Sequence, residues 1–269
     1  MKTSSNKSAA SFRLAVAVIV LAIATGMPGR LKAQSWAGPY LGVHAGQNWL
    51  SSETNLSNVT PTSNLFLNQT LNLGLMPTHF AGEHSRFAFG VAGGYNWQFG
   101  RFVTGIEADI TRTQSQVSHD FKLDDAGFIF FGGPAQINVS MEWLATFRGR
   151  AGFLVTDRLF LFGTGGLAVA HVNAATRITH PAILPDCSAA TACGYGSSSG
   201  QQLGWVVGGG GELSLYRNWN LKIEYLYFDL GGAGYIVNET SQVATNQPSL
   251  RNDFHLTGQQ VRAGINYRF

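Results

Sequence analysis

The chain has 269 residues, of which 45% are hydrophobic, 12% aromatic and 12% charged, with 33 glycines, two cysteines and a formal net charge of +3. About a quarter charged is ordinary for a soluble domain, so this chain is apolar and sparsely charged, the reverse of a disordered one. The glycines follow no three-residue period, which excludes a collagen-like chain, and two cysteines cannot staple a disulfide-rich miniprotein.

The amino terminus comes first. Lys2, Lys7 and Arg13 precede an unbroken apolar run over residues 14–24, and the small residue Ala33 stands before Gln34. A basic start, a short apolar stretch and a small residue at the cut predict a secretory signal peptide over residues 1–33, cleaved between Ala33 and Gln34. Leu31 is bulky for its place three residues before that cut, which keeps other cuts between residues 26 and 35 open. The run is too short to cross a bilayer, which takes about 20 residues. Five of the 18 basic residues and none of the 15 acidic ones lie in this segment, so the mature chain has 13 bases against 15 acids. The basic balance belongs to the export signal, and no basic patch is left for a nucleic-acid partner.

From Tyr40 onward the dominant period is two, the signature of strands. In the first, Leu41, Val43, Ala45 and Trp49 oppose Gly42, His44, Gly46 and Asn48. In the second, Phe87, Phe89, Val91, Tyr95, Trp97 and Phe99 oppose Arg86, Ala88, Gly90, Ala92, Gly94 and Asn96. In the third, Thr104, Ile106, Ala108 and Ile110 oppose Gly105, Glu107, Asp109 and Thr111. In the fourth, Val139, Met141, Trp143, Ala145 and Phe147 oppose Ser140, Glu142, Thr146, Arg148 and Arg150. The fifth, residues 159–172, is apolar on both faces and its orientation is left open. In the sixth, Trp205, Val207, Leu213 and Leu215 oppose Gly208, Gly210, Glu212 and Ser214. In the seventh, Leu221, Ile223, Tyr225 and Tyr227 oppose Lys222 and Glu224. In the eighth, Val261, Ala263, Ile265, Tyr267 and Phe269 oppose Gln260, Arg262, Gly264, Asn266 and Arg268.

The connections alternate in length. Short turns fall at residues 100–101, 155–158 and 216–220; long polar stretches fall at 51–85, 114–136, 173–202 and 231–253. Tight turns at one end and long loops at the other are the pattern of a bacterial outer-membrane barrel. The chain is therefore expected to be all-β: one eight-stranded antiparallel transmembrane β-barrel over residues 34–269.

Orientation follows from size. An eight-stranded barrel is just wide enough for side chains to fill, too narrow for rings at up to four positions per strand. The opposite face, rich in glycine and alanine, suits a cramped lumen. The large apolar face should therefore look outward, which only lipid makes favourable. The charges Glu107, Asp109, Glu142, Arg148, Arg150, Glu212, Lys222, Glu224 and Arg262 then line the inside. Five acids nearly cancel four bases, and buried charges survive only when paired. A salt-bridged plug is the preferred reading and a selectivity filter or proton path the other. Tyr95, Trp97, Phe99, Tyr225, Tyr227, Tyr267 and Phe269 gather at the short-turn end, as an interfacial girdle does.

These strands resemble the small OmpA-like outer-membrane β-barrel family of Gram-negative bacteria, the porin-family or outer membrane immunogenic proteins. The segments that carry the resemblance are WAGPYLGVHAGQNW at 36–49, GIEAD at 105–109, WLATFRGRAG at 143–152, TGGLA at 164–168, GWVVGGGGE at 204–212, KIEYLYFDLG at 222–231 and VRAGINYRF at 261–269. The resemblance implies an integral outer-membrane protein with periplasmic termini. It also implies that Val261, Ala263, Ile265, Tyr267 and Phe269 form a terminal signal read by the outer-membrane insertion machinery. Family members include weak pores, surface antigens, adhesins and envelope-stabilising proteins.

Other constellations carry less. Cys187 and Cys193, in CSAATAC, suit a small disulfide loop in an exported protein; a metal pair is the rival reading, without a clear second pair of ligands nearby. His79, His84, His119 and His180 fall in loops, His44 on the lumen face, and His171 and His255 near strand ends. No Ser/His/acid grouping carries a local catalytic signature, and haem or metal at the histidine loops is a minor alternative. Glycines 208–211 are not a phosphate cradle, because no Lys-Ser/Thr follows. The expected function is structural and surface-interacting, with no cofactor and no enzymatic activity. Its expected partners are outer-membrane lipid, lipopolysaccharide and a host or environmental ligand at the loops. A narrow low-conductance pore is the alternative, and a lipid-modifying enzyme ranks last.

Overall fold

The structure is a computed structural model that describes residues 35–59, 66–122, 134–178, 193–240 and 247–269. The signal segment and Cys187 lie outside the described residues, and with Cys187 the pairing proposed for Cys193. The elements in chain order are β1 (Gly38–Asn58), α1 (Phe66–Asn72), β2 (His79–Phe99), β3 (Phe102–Lys122), β4 (Pro134–Thr156), β5 (Leu159–Ile178), β6 (Cys193–Tyr216), β7 (Trp219–Thr240) and β8 (Gln247–Arg268). The eight strands close in sequence order, each antiparallel to its neighbours, with β8 pairing back to β1 from Tyr40↔Arg268 to Asn58↔Leu250. Turns of two residues join β2 to β3, β4 to β5 and β6 to β7. Gly100 takes φ +64° in the first of them, a left-handed conformation that glycine adopts without a Cβ clash.

The strands are far longer than the alternation first suggests. They run 20 to 24 residues. At roughly 3.3 Å per residue and a tilt of roughly 40°, they stand about 50–60 Å tall, twice the roughly 25 Å apolar band of an outer-membrane barrel. Most described residues of the four expected long loops are continued strand instead.

The two halves are built in opposite senses. In the half nearer the turns, large apolar side chains point out, with Leu41 59% and Phe89 56% exposed, and polar side chains point in. Burying such a side chain in lipid is worth about 1.5–3 kcal/mol. In the far half the sense inverts. Leu50, Met141, Val172 and Phe254 join one buried apolar cluster, while Glu53, Gln116, Arg177 and Arg251 lie exposed. That is the layering of a water-soluble barrel. Residues 51–58 and 247–256 read as polar loop by composition because half their side chains face water.

A bulge on β4 carries out one inversion. The β4–β5 register shifts between Met141 and Trp143, and an extra residue reverses every side chain beyond it. Val139 and Met141, expected on the lipid face, are buried inside, and Glu142, expected in the lumen, is exposed outside.

Strand β5 orients itself by its ends. Phe160 and Phe162 point inward at the turn end and pack with Trp36, Val103 and Leu154. Ala168, Ala170 and Val172 point inward further up, and Leu167 points out. At the far end α1 covers the mouth. Leu67 is buried in the apolar cluster, its N–H donates to the Glu239 carboxylate (2.7 Å), and the Ser249 hydroxyl donates to Asn68 (2.6 Å). The walls are close. A Cβ on Gly46 would run into the Val261 carbonyl oxygen, and one on Gly208 into that of Tyr225. One seam is short: β2 and β3 pair only from Phe89↔Arg112 to Phe99↔Phe102, so above it β2 pairs with β1 alone.

Candidate functional site

The polar side chains of the turn-end half meet on the barrel axis. Glu107 and Asp109 come from β3, Arg148 and Arg150 from β4, Glu212 from β6, Lys222 and Glu224 from β7, and Arg262 from β8. Period-two spacing brings each pair on one strand to the same inward face, and none of the eight is more than 7% exposed.

Glu107 is the hub. It accepts from Arg148 Nη2, from Lys222 Nζ at 2.6 and 2.7 Å, from Arg150 Nη1 at 3.3 Å and from the Tyr40 hydroxyl at 2.6 Å. Arg148 also donates to Asp109 Oδ2 (2.8 Å), Glu224 Oε1 (2.7 Å) and Thr146 Oγ1 (2.9 Å). Arg262 donates through Nη1 to Asp109 Oδ1 (2.9 Å), through Nη2 to Asp109 Oδ2 (3.1 Å) and through Nε to Glu224 Oε2 (2.8 Å). Arg150 donates to Glu212 Oε1 (2.6 Å) and Asn96 Oδ1 (3.0 Å), with its guanidinium 4.7 Å from the Tyr40 ring centre. The planar guanidinium fork lets each arginine hold two or more acceptors at once.

The charge layer lies between two apolar ones. Toward the turns, Trp36, Phe160 and Phe162 close the axis, with Trp36 Nε1 donating to the Asp157 carbonyl at 3.3 Å. Toward the mouth, Leu144 follows Thr146 on β4, and Leu226 and Phe228 follow Glu224 on β7, all buried. On the β1–β3 side the polar layer runs higher, where Asn48 donates to Ser115 (3.0 Å) and His44 bonds Thr111 (2.9 Å). Effective desolvation costs several kcal/mol per buried ion, so the cluster persists by pairing.

Eight of the nine charges placed in the lumen by sequence thus come together, and Glu142 does not. Tyr40, Asn96 and Arg268 also belong to the layer, though none stands among the nine charges expected there. Arg268 was nevertheless legible from the inward series Arg262, Gly264, Asn266 and Arg268. At the carboxyl end, Ile265 and Phe269 point outward, and the Tyr267 ring packs against Trp219 (5.0 Å) and Phe269 (5.2 Å).

Glu142 belongs to a polar row on the outer face that no local motif announces. Asn173 donates to its carboxylate (2.9 Å), and the Ser199 hydroxyl donates to Asn173 Oδ1 (2.6 Å). The Ser199 oxygen lies 3.5 Å from His171 Nε2, and the His171 ring stacks on Trp143. A hydroxyl committed to an amide oxygen is not held for proton transfer to imidazole. The other described histidines are dispersed: His79 bonds Asn55, His119 packs on Phe80, and His255 meets Asp229 at 3.2 Å. Among the described residues no group of three or more His, Cys, Asp or Glu side chains could hold a metal ion.

The family comparison agrees with this architecture. The family model of the outer membrane protein beta-barrel domain matches residues 15–269. The chain is 31% identical over 236 residues to the 31 kDa outer-membrane immunogenic protein of Brucella melitensis, covering 87% of this chain and 84% of that one. It is 28% identical over 174 residues to a 22 kDa outer membrane protein of Rhizobium leguminosarum bv. viciae, covering 64% and 65%. Among solved structures, the outer membrane protein OprG of Pseudomonas aeruginosa covers 88% of this chain and 99% of its own, at 11% identity and a TM-score of 0.48.

Proposed function

Because this chain belongs to the outer membrane protein β-barrel family, we propose that it is a closed structural barrel that stabilises the envelope and displays its far-end extension to the surroundings. The observation that carries this reading is the filled axis: a paired charge layer lies between the Trp36–Phe160–Phe162 floor and the Leu144–Leu226–Phe228 roof. An ion entering that axis would have to displace paired charges and then cross apolar packing. The water-facing far half supports display. So does the description of the Brucella relative as immunogenic. Lipid and lipopolysaccharide surround the lower belt in this reading, the terminal strand is what the insertion machinery reads, and a host or environmental ligand meets the far end. The pore and the lipid-modifying enzyme are the competing readings, and the filled axis and the amide-bound Ser199 weigh against them respectively.

The test is conductance of the refolded mature protein in a planar bilayer. No steady channel is expected. Channels of uniform size that change with Glu107→Ala or Arg148→Ala would overturn the closed barrel in favour of the pore.

A further inference from the structure

The charge layer holds one cation more than it holds anions. Its buried acids are Glu107, Asp109, Glu212 and Glu224; its buried bases are Arg148, Arg150, Lys222, Arg262 and also Arg268, which is 4% exposed. The other buried acid among the described residues, Glu239, caps α1, 17 residues up β7 from Lys222, or roughly 55 Å along the strand. It is too distant to compensate.

The excess is localised. Arg148, Arg150, Lys222 and Arg262 each bond carboxylates directly. Arg268 bonds none among the described residues. Its Nη2 donates to Asn220 Oδ1 at 3.3 Å, and its guanidinium stacks 4.7 Å from the Trp36 ring centre. Its Nη1 is buried and has no hydrogen-bond partner among the described residues, and the same holds for Nη2 of Arg150.

The two arginines are joined through shared neighbours: the Arg150 guanidinium lies 4.7 Å from the Tyr40 ring centre, and Tyr40 pairs with Arg268 across the β1–β8 ladder. Arg150 packs on Phe160, Phe160 packs on Trp36 at 5.6 Å, and Trp36 carries Arg268. Glu212 takes a bond from Arg150 and another, at 3.3 Å, from Asn266, which lies two residues before Arg268 on the same face. Two buried guanidinium donors of like charge, each without a hydrogen-bond partner among the described residues, call for a charged acceptor. Water would satisfy the donors and leave the charge.

We propose that Arg150 and Arg268 bind one small monovalent anion of the chloride class, accepting from Arg150 Nη2 and Arg268 Nη1, with Trp36 as the floor of the site. The ion completes the charge balance of the layer. Trp36 is held by its backbone N–H on Gln98 Oε1 (2.6 Å) as well as by its indole, so entry from the turn end requires this short amino-terminal stretch to move aside.

The mature barrel is refolded in zwitterionic detergent in sodium gluconate and its thermal unfolding followed as chloride replaces gluconate at constant ionic strength. A ligand that binds the folded state alone stabilises it by RT ln(1 + c/Kd) at free ligand concentration c. The expected result is a rise in Tm of several degrees, logarithmic in chloride concentration above its Kd, that is absent in Arg268→Gln, which keeps a donor toward Asn220 and removes the surplus charge. An unchanged wild-type Tm, or an equal rise in Arg268→Gln, overturns the proposal. Should that variant fail to refold, crystals of the wild-type protein grown in bromide decide. An anomalous peak between the two guanidiniums supports the site; a water molecule or the Phe269 carboxylate there refutes it. Neither result depends on whether the barrel conducts.

Discussion

Arg262 on β8 and Asp109 on β3 meet fork to fork inside the barrel, at 2.9 and 3.1 Å, from strands 153 residues apart in sequence. The contact ties the closing strand to the opposite wall. Breaking such a pair from one side leaves the other charge to its remaining neighbour, Arg148 for Asp109 or Glu224 for Arg262, and costs up to about 3–5 kcal/mol. Asp109→Asn and Arg262→Gln should each lose that much in urea unfolding in detergent. The double variant should lose clearly less than the two together, because it removes one charge of each sign and leaves the net charge of the layer unchanged. Strict additivity would show that the two do not interact.

Glu107 and Glu142 provide a contrast of place. Glu107 accepts from three cationic side chains and Tyr40 in a buried layer, whereas Glu142 is exposed and held by Asn173. Glu107→Ala should therefore cost about 3–5 kcal/mol, and Glu142→Ala about 0.5 kcal/mol or less. Unfolding midpoints of the two variants in the same micelles check this. Similar losses would return Glu142 to the lumen.

The inversion of layering between the halves has a labelling signature. Phe89→Cys sits in the apolar belt and Gln116→Cys on the polar outer wall of the far half. On intact cells a membrane-impermeant maleimide should modify the second and spare the first. Modification of Phe89→Cys at a comparable rate would place water where lipid is expected.

Phe269 ends the chain two-thirds exposed, with Tyr267 edge-on against it and its backbone N–H donating to the Pro39 carbonyl at 3.1 Å. Deleting it removes the last outward ring and a bond that helps close β8 on β1. The truncated protein should reach the outer-membrane fraction in reduced amount, read as the heat-modifiable band on gels. Wild-type levels would show that Phe269 is dispensable for assembly.

Much of the turn-end half was legible in the sequence, because lipid and a narrow lumen impose opposite demands on alternate residues. Strands β2, β3, β7 and β8 carry that contrast from Phe89, Glu107, Glu224 and Arg262 alike. The far half kept the same period with its sense reversed. Leu250, Phe254 and Leu256 alternate with Arg251, Asp253 and His255, but half of such a strand is polar and passes for loop by composition. The bulge at Met141 and Trp143 left no local mark, since one extra residue does not change composition, so Glu142 went to the wrong face. The proximity of Ser199, His171 and Asn173 depends on the β5–β6 register, and the inward turn of Phe160 and Phe162 on a partner 124 residues away, Trp36.

The short seam between β2 and β3 is a place where this cylinder would yield early. Above Phe89 and Arg112 the wall is fastened on the β1 and β4 sides and not across the gap, so the backbone amides of β2 that look toward β3 lack a ladder to hold them. Deuterium should enter there well before it enters the unbroken β1–β8 ladder, and a pull on the far end should unzip the barrel along that line while the ion-paired waist stays shut.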